Sequence, residues 1–163
     1  MNKKLIFPAV LIIVLCVAFY LYGKYHVAPG IDFNKLELAD LNGQPVSMQS
    51  FKGKKITLSF GASWCVNCIE ELDDLKAIKE QELGDVEVIV ISDESLEKII
   101  SFKERKGYPF TFLKMNKTFS SIGIHSIPTS YIINTNMQVM KETVGYINWR
   151  DHSTSQHLKK LME

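Results

Sequence analysis

The segment Ile56-Thr57-Leu58-Ser59-Phe60-Gly61-Ala62-Ser63-Trp64-Cys65-Val66-Asn67-Cys68 decides how this chain is read. Its first five residues alternate apolar and polar, as a strand does. Gly61-Ala62-Ser63 ends that strand. From Asn67 the period changes. Ile69, Leu72, Leu75 and Ile78 recur at three-residue steps, the spacing of a helix face, and Gly84 stops the run. The two cysteines therefore stand between a strand and a helix, with Cys68 in the first helical turn. A helix start carries unpaired N–H groups and a partial positive charge. That environment stabilises a thiolate, the reactive form of cysteine. In a pair of this spacing the first cysteine is normally the exposed nucleophile, and the second attacks the mixed disulfide. Cys65 is accordingly expected to attack a substrate disulfide and Cys68 to resolve the intermediate, with Trp64 shielding one side. The competing use is half of a structural zinc site, which needs two more ligands. No other cysteine stands in the folded part, and His125, His152 and His157 form no recognisable ligand pair. No metal or cofactor is implied.

Outward from this segment the same two periods recur. Val86 to Ile91 is nearly all β-branched, which suits a central strand buried on both faces. Ser95 to Lys106 reads as a helix ended by Gly107, Tyr108 to Leu113 as extended chain, and Thr118 to Ile122 as a short helix. Thr129 to Ile133 and Val139 to Val144 form a hairpin around Asn134-Thr135-Asn136. Asn148 with Asp151 makes a helix cap, and Leu158, Leu161 and Met162 give the last helix its apolar face. Upstream, Phe33 to Leu41 and Val46 flank the turn dipeptide Asn42-Gly43, and Ser47 to Phe51 is one helical turn. Strands alternating with helices predict an α/β fold, a mixed sheet covered by helices.

The first 26 residues differ from the rest. Leu5 to Tyr22 is an uncharged apolar run, preceded by Lys3 and Lys4 and closed by Gly23-Lys24. It reaches the roughly 18 residues that a membrane-spanning helix needs. The leading basic residues place the N-terminus in the cytoplasm and the domain outside. Tyr20, Tyr22 and Tyr25 suit the far interface, and Pro8 lies near the start, where a proline costs a helix little. A cleaved signal peptide is the alternative, but Phe19-Tyr20-Leu21-Tyr22 offers no small-residue cleavage site. An acylated Cys16 is disfavoured by Leu15 before it and by the apolar run after it. The expected organisation is an anchor and juxtamembrane segment over 1–26 and a folded domain over 27–163. Removing Lys3, Lys4 and Lys24 from the 19 basic residues leaves 16 against 18 acidic ones in that domain. A weakly acidic domain without a basic cluster is a poor nucleic-acid binder.

A second signal lies far along the chain. Ser126-Ile127-Pro128-Thr129 runs straight into a strand. Such a proline is either a plain strand boundary or a cis residue in a tight turn. Taken together, Trp-Cys-x-x-Cys after a strand, Ile127-Pro128-Thr129 before Tyr131-Ile132-Ile133, and the hairpin leading to Gly145 resemble the thioredoxin superfamily. The N-terminal hairpin and the extra segment near residues 95–120 resemble its TlpA/ResA-like extracytoplasmic branch. The resemblance runs from about residue 33 to the end. It implies a thioredoxin-like fold of four or five strands, a redox disulfide Cys65–Cys68 beside Pro128, and substrate docking at Trp64, Ile127 and Pro128. It also implies a proton-handling role for Glu71, whose plain alternative is a surface acid favoured near a helix start. Ser59 stands where cytoplasmic thioredoxins carry a buried aspartate, and Asn67 where the family usually has proline. Glu70, Glu71, Asp73 and Asp74 crowd the helix start with charge that opposes a thiolate.

The resemblance further implies a protein-disulfide reductase of exported substrates, with cytochrome c maturation as one such task, fed by a membrane electron donor. An oxidant role is its near relative. A different class is a copper-binding metallochaperone of the same fold, using two cysteines and a histidine such as His125, because thiolates suit Cu(I). Those carriers space their cysteines one residue wider. A thiol peroxidase would need a Pro/Thr-containing loop before its cysteine, where this chain has Gly61-Ala62-Ser63-Trp64.

Overall fold

The computed structural model describes the backbone from Lys3 to Glu163 and side chains from Val10 onward. The anchor expectations that rest on the side chains of Lys3, Lys4 and Pro8 lie outside the described residues. Helix α1 spans Lys3–His26. Among the described residues no helix is long and apolar enough to cross a membrane. The described apolar side chains of α1, from Val10 to Tyr22, are exposed rather than packed on the domain.

The domain is one mixed sheet of seven strands in the order β2-β1-β5-β4-β3-β6-β7. Its elements are β1 (Leu38–Ala39), β2 (Pro45–Val46), β3 (Lys55–Phe60), α2 (Val66–Ile78), β4 (Val86–Ser92), α3 (Leu96–Lys106), β5 (Thr111–Met115), β6 (Thr129–Ile133), β7 (Val139–Val144) and α4 (His152–Leu161). Strand β4 is central and runs parallel to both β3 and β5, while every other pairing is antiparallel. The steps β3 to β4 and β4 to β5 go the same way across the sheet. Right-handed crossovers therefore place α2 and α3 on the same face. The resemblance implied four or five strands. The sheet is wider because the β1–β2 hairpin joins antiparallel to the outer edge of β5. Its turn is closed by Asp40, whose Oδ1 accepts from the N–H groups of Asn42 and Gln44, both at 2.8 Å.

The alternation along each strand sorts the core into two layers. Val86, Val88 and Val90 of β4 meet Leu72 and Leu75 of α2, Phe102 of α3, Leu158 of α4 and the buried Trp149. Ile56, Leu58 and Phe60 of β3 face the other way with Ile89, Ile91 and Tyr131. That second layer is closed by Leu36, Met48 and Phe119, from the N-terminal segment and a 3₁₀ turn at Phe119–Ile122.

Two helix ends refine the sequence reading. Asp151 caps α4, its side chain accepting from Thr154 N–H, whereas Asn148 bonds only to the Asp151 N–H. Gly107 ends α3 at φ 59°, in the left-handed region, where its N–H reaches the carbonyls of Lys103 and Glu104. A side chain there meets its own backbone, at about 1 kcal/mol or more. Gly107→Ala is thus expected to lower stability by about 1 kcal/mol, read as a lower urea midpoint with unchanged slope. An unchanged midpoint would contradict the strain argument.

Candidate active site

The site is built where β3 stops and α2 starts. Cys65 is the N-cap of α2, and its Sγ accepts from the N–H of Cys68 at 3.2 Å. The helix begins at Val66, one residue earlier than its apolar spacing predicts, because the capping cysteine starts it. Cys65 and Cys68 are joined as a disulfide with Cα atoms 5.2 Å apart. Cys65 is 7% exposed and Cys68 only 2%, so the first cysteine is the one nearer solvent.

Across the pair lies the loop before β6. The Ile127–Pro128 bond is cis. Ile127 packs on Ala62, Cys65 and Cys68, and the buried Pro128 carbonyl accepts from Gly145 N–H at 2.8 Å. The cover of the disulfide comes from Ala62 and Ile127. Trp64, expected as a shield, is 70% exposed and forms with Val66 an apolar rim beside the pair.

Glu71 is not the surface acid that its place near a helix start allows. It is fully buried. Its Oε1 accepts from Ser130 Oγ at 2.7 Å and from Ser59 Oγ at 3.3 Å, and its Oε2 accepts from Ile147 N–H at 2.9 Å. Burial pushes its carboxyl up to about 7, and these three hydrogen bonds pull only part of the way back. Ser59 and Ser130 face each other across the β3–β6 ladder. The carboxylate that Ser59 does not supply from the strand is thus delivered to the same spot from α2. A small cavity, with room for about one water, is lined by both Ser59 and Cys68, which brings this network to Cys68.

Two of the other acids of α2, Asp73 and Asp74, are tied to partners, while Glu70 is exposed. Asp73 accepts from Lys106 at 2.9 Å and from Tyr108 Oη at 2.8 Å. Asp74 pairs with Arg150 at 2.6 Å and accepts from Tyr146 Oη. These partners come from α3, its following turn and the segment after β7, all distant in sequence. Ser130 and Ile147 were invisible to the sequence reading. A serine in an otherwise apolar strand is the only hint of Ser130, and a backbone N–H has no sequence signature.

His125 is exposed and set edge-on to Tyr25, with ring centroids 6.2 Å apart. Among the described residues no group of three or more His, Cys, Asp or Glu side chains is placed to hold a metal ion. Cys16 of α1 is an exposed free thiol.

The redoxin family pattern matches residues 26–159, most of the chain and the whole site. The chain belongs to the redoxin family. Within that family it is a ResA/TlpA-like member of the thioredoxin superfamily, and an oxidoreductase. It is similar to the thiol–disulfide oxidoreductase ResA of Bacillus thuringiensis subsp. konkukian, at 26% identity over 98% of both chains. Its fold is that of StoA from Bacillus subtilis, with a TM-score of 0.57 and 20% identity over 83% of this chain and 98% of the other. A thioredoxin-family thiol:disulfide interchange protein from Chlorobium tepidum matches with a TM-score of 0.61 and 21% identity, over 76% of this chain and 90% of that one.

Proposed function

We propose that this redoxin-family oxidoreductase reduces disulfides in exported proteins on the outer side of a cell membrane, with cytochrome c maturation as one such task. The observation that carries the reading is the Cys65–Cys68 pair at the start of α2, packed against Ile127 of the cis-proline loop. In the reduced state the Cys65 thiolate attacks one sulfur of a substrate disulfide and expels the other as a thiolate. Cys68, on losing its proton, attacks Cys65 Sγ. The substrate's second thiol leaves and the Cys65–Cys68 disulfide closes, so two electrons pass from the dithiol to the substrate. A membrane electron donor bearing a dithiol reverses the exchange and restores the pair. Trp64 and Val66 with Ile127 and Pro128 form the substrate contact around the sulfurs. Glu71, with its carboxyl near neutrality, takes the Cys68 proton through the Ser59 side of the small cavity.

The anchor reading gives residues 1–26 to the membrane and its surface, with Leu5–Tyr22 spanning, the N-terminus cytoplasmic, and 27–163 as the extracytoplasmic domain. The uncharged apolar run and the exposed apolar side chains of α1 support it. Where α1 ends it is joined to the domain: Ser126 Oγ donates to the Tyr25 carbonyl at 3.0 Å, beside Ile127.

Cys68→Ser removes the resolving thiol and leaves Cys65 able to attack. That variant is expected to accumulate mixed disulfides with exported proteins, released by dithiothreitol, whereas a Cys65→Ser, Cys68→Ser double variant accumulates none. Equal capture by both would refute the assignment. Equilibration with glutathione fixes the direction of electron flow. A strongly oxidising potential would replace the reductase reading with an oxidase one.

A further inference from the structure

The turn that presents Cys65 is held from outside by one carboxylate. Glu94 follows β4, and β4 is the parallel neighbour of β3. Its Oε2 accepts from Ser63 N–H at 2.6 Å, and its Oε1 accepts from Ser63 Oγ at 2.8 Å. Ser92 Oγ, at the end of β4, donates to Oε2 at 3.3 Å, and Glu94 N–H donates back to Ser92 Oγ, also at 3.3 Å. Ser63 is the last residue before Trp64-Cys65. Just before it, Gly61 N–H bonds to the Ile91 carbonyl at 3.0 Å, and just after it, Cys65 N–H bonds to the Ala62 carbonyl at 3.1 Å. Without Glu94 the fork at Ser63 loses both of its partners, and a half-buried N–H is left without an acceptor. Glu94 also lines the small cavity that contains Cys68, together with Ser59, Ser63 and Ser92.

We propose that Glu94 is a positioning residue of the dithiol site, its carboxylate clamping the Ser63–Trp64 turn and so setting where Cys65 stands. This rests on the reading of Cys65 as the nucleophile. A bidentate carboxylate on a backbone N–H and an adjacent hydroxyl is a strong, directional anchor. The nucleophile sits two residues beyond it. A carboxylate bonded to Ser63, two residues before Cys65, adds negative charge on that side of the pair, which disfavours the thiolate. The other charged groups on this side are Glu97, Lys98 and Arg105 of α3, in the groove beyond Trp64, while Glu71 of α2 is buried against Ser59 and Ser130. Among the described residues Glu94 is the one bonded to the turn itself.

Two variants of the full chain separate geometry from charge. Glu94→Ala releases the turn. It is expected to slow exchange of the reduced protein with glutathione disulfide by about tenfold while leaving the thermal midpoint nearly unchanged, since small misplacements of a reacting atom are costly. Glu94→Gln keeps an acceptor for Ser63 N–H and removes the charge. It is expected to stay within about threefold of the parent rate. Its pH profile of iodoacetamide alkylation, read by mass on the Cys65 peptide, should move to lower pH. An exchange rate of Glu94→Ala equal to the parent's, or an alkylation profile of Glu94→Gln that does not move down, overturns the proposal. If Glu94→Ala fails to fold, the Glu94→Gln profile decides alone. Alkylation needs no protein substrate, so a chain inactive on protein disulfides would defeat the function proposed above and leave this test standing.

Discussion

Cys65→Ser is expected to abolish reduction of insulin disulfides, with a fall of about a thousandfold or more against the parent chain. The reason is chemical rather than structural. Serine fills nearly the same space at the cap of α2, and its hydroxyl can still accept from the Cys68 N–H, so the helix start survives. What disappears is the sulfur nucleophile, and a serine hydroxyl is essentially un-ionised at neutral pH with no adjacent base to activate it. Cys68, 2% exposed beneath its partner, cannot replace it as the attacking group. The measurement is the rate of insulin reduction with dithiothreitol as donor, beside a urea midpoint that shows the variant folded. A folded Cys65→Ser chain working at the parent rate would refute the role of Cys65.

Glu71→Gln carries the second large effect, and it depends on pH. The Glu71 carboxyl is raised from 4.5 to about 7 by burial, opposed by Ser130, Ile147 and Ser59. Below about pH 4.5 folded and unfolded chains both hold the proton, and the shift costs nothing. Between there and about pH 7 the unfolded chain loses its proton while the folded chain keeps it, so stability falls as pH rises. Above the folded value the loss is complete, on the order of 3 kcal/mol for a shift of this size. Glutamine keeps the shape and has nothing to titrate. The stability difference between Glu71→Gln and the parent should therefore rise by about 3 kcal/mol from pH 4.5 to pH 8. Asp85, held down to about 2 by its bonds to Lys159 and Lys55, acts only at lower pH and cancels in the comparison. Urea midpoints at the two pH values test this, and a difference that stays flat would remove the raised carboxyl. Keeping such a group costs stability at neutral pH.

Both effects trace to residues that differ in how legible they are. The placing of Cys65 and Cys68 between a strand and a helix start was legible, because a strand, a short turn and a helix start are local features that period and punctuation report. The order of the elements, β3 to α2 to β4 to α3 and then the β6–β7 hairpin, was legible for the same reason, as was Pro128 at the entrance to β6. The uncharged run Leu5–Tyr22 is equally local.

The state of Glu71 was decided elsewhere. Whether an acid in the first turns of a helix meets water or a core depends on which sheet face the helix covers. Here the direction of the β3–β4 crossover turns Glu71 onto β3 and β6. Its partners Ser130 and Ile147 lie 59 and 76 residues away, and no local pattern couples positions that far apart. The neutralisation of Asp73 and Asp74 by Lys106 and Arg150, the clamp of Glu94 on Ser63, and the widening of the sheet to seven strands are of the same kind. Sequence alone therefore determined which atoms can react and which elements carry them. Tertiary structure decided how strongly each is solvated and which charges and hydrogen bonds surround it, because desolvation and pairing are sums over neighbours that only the folded chain brings together.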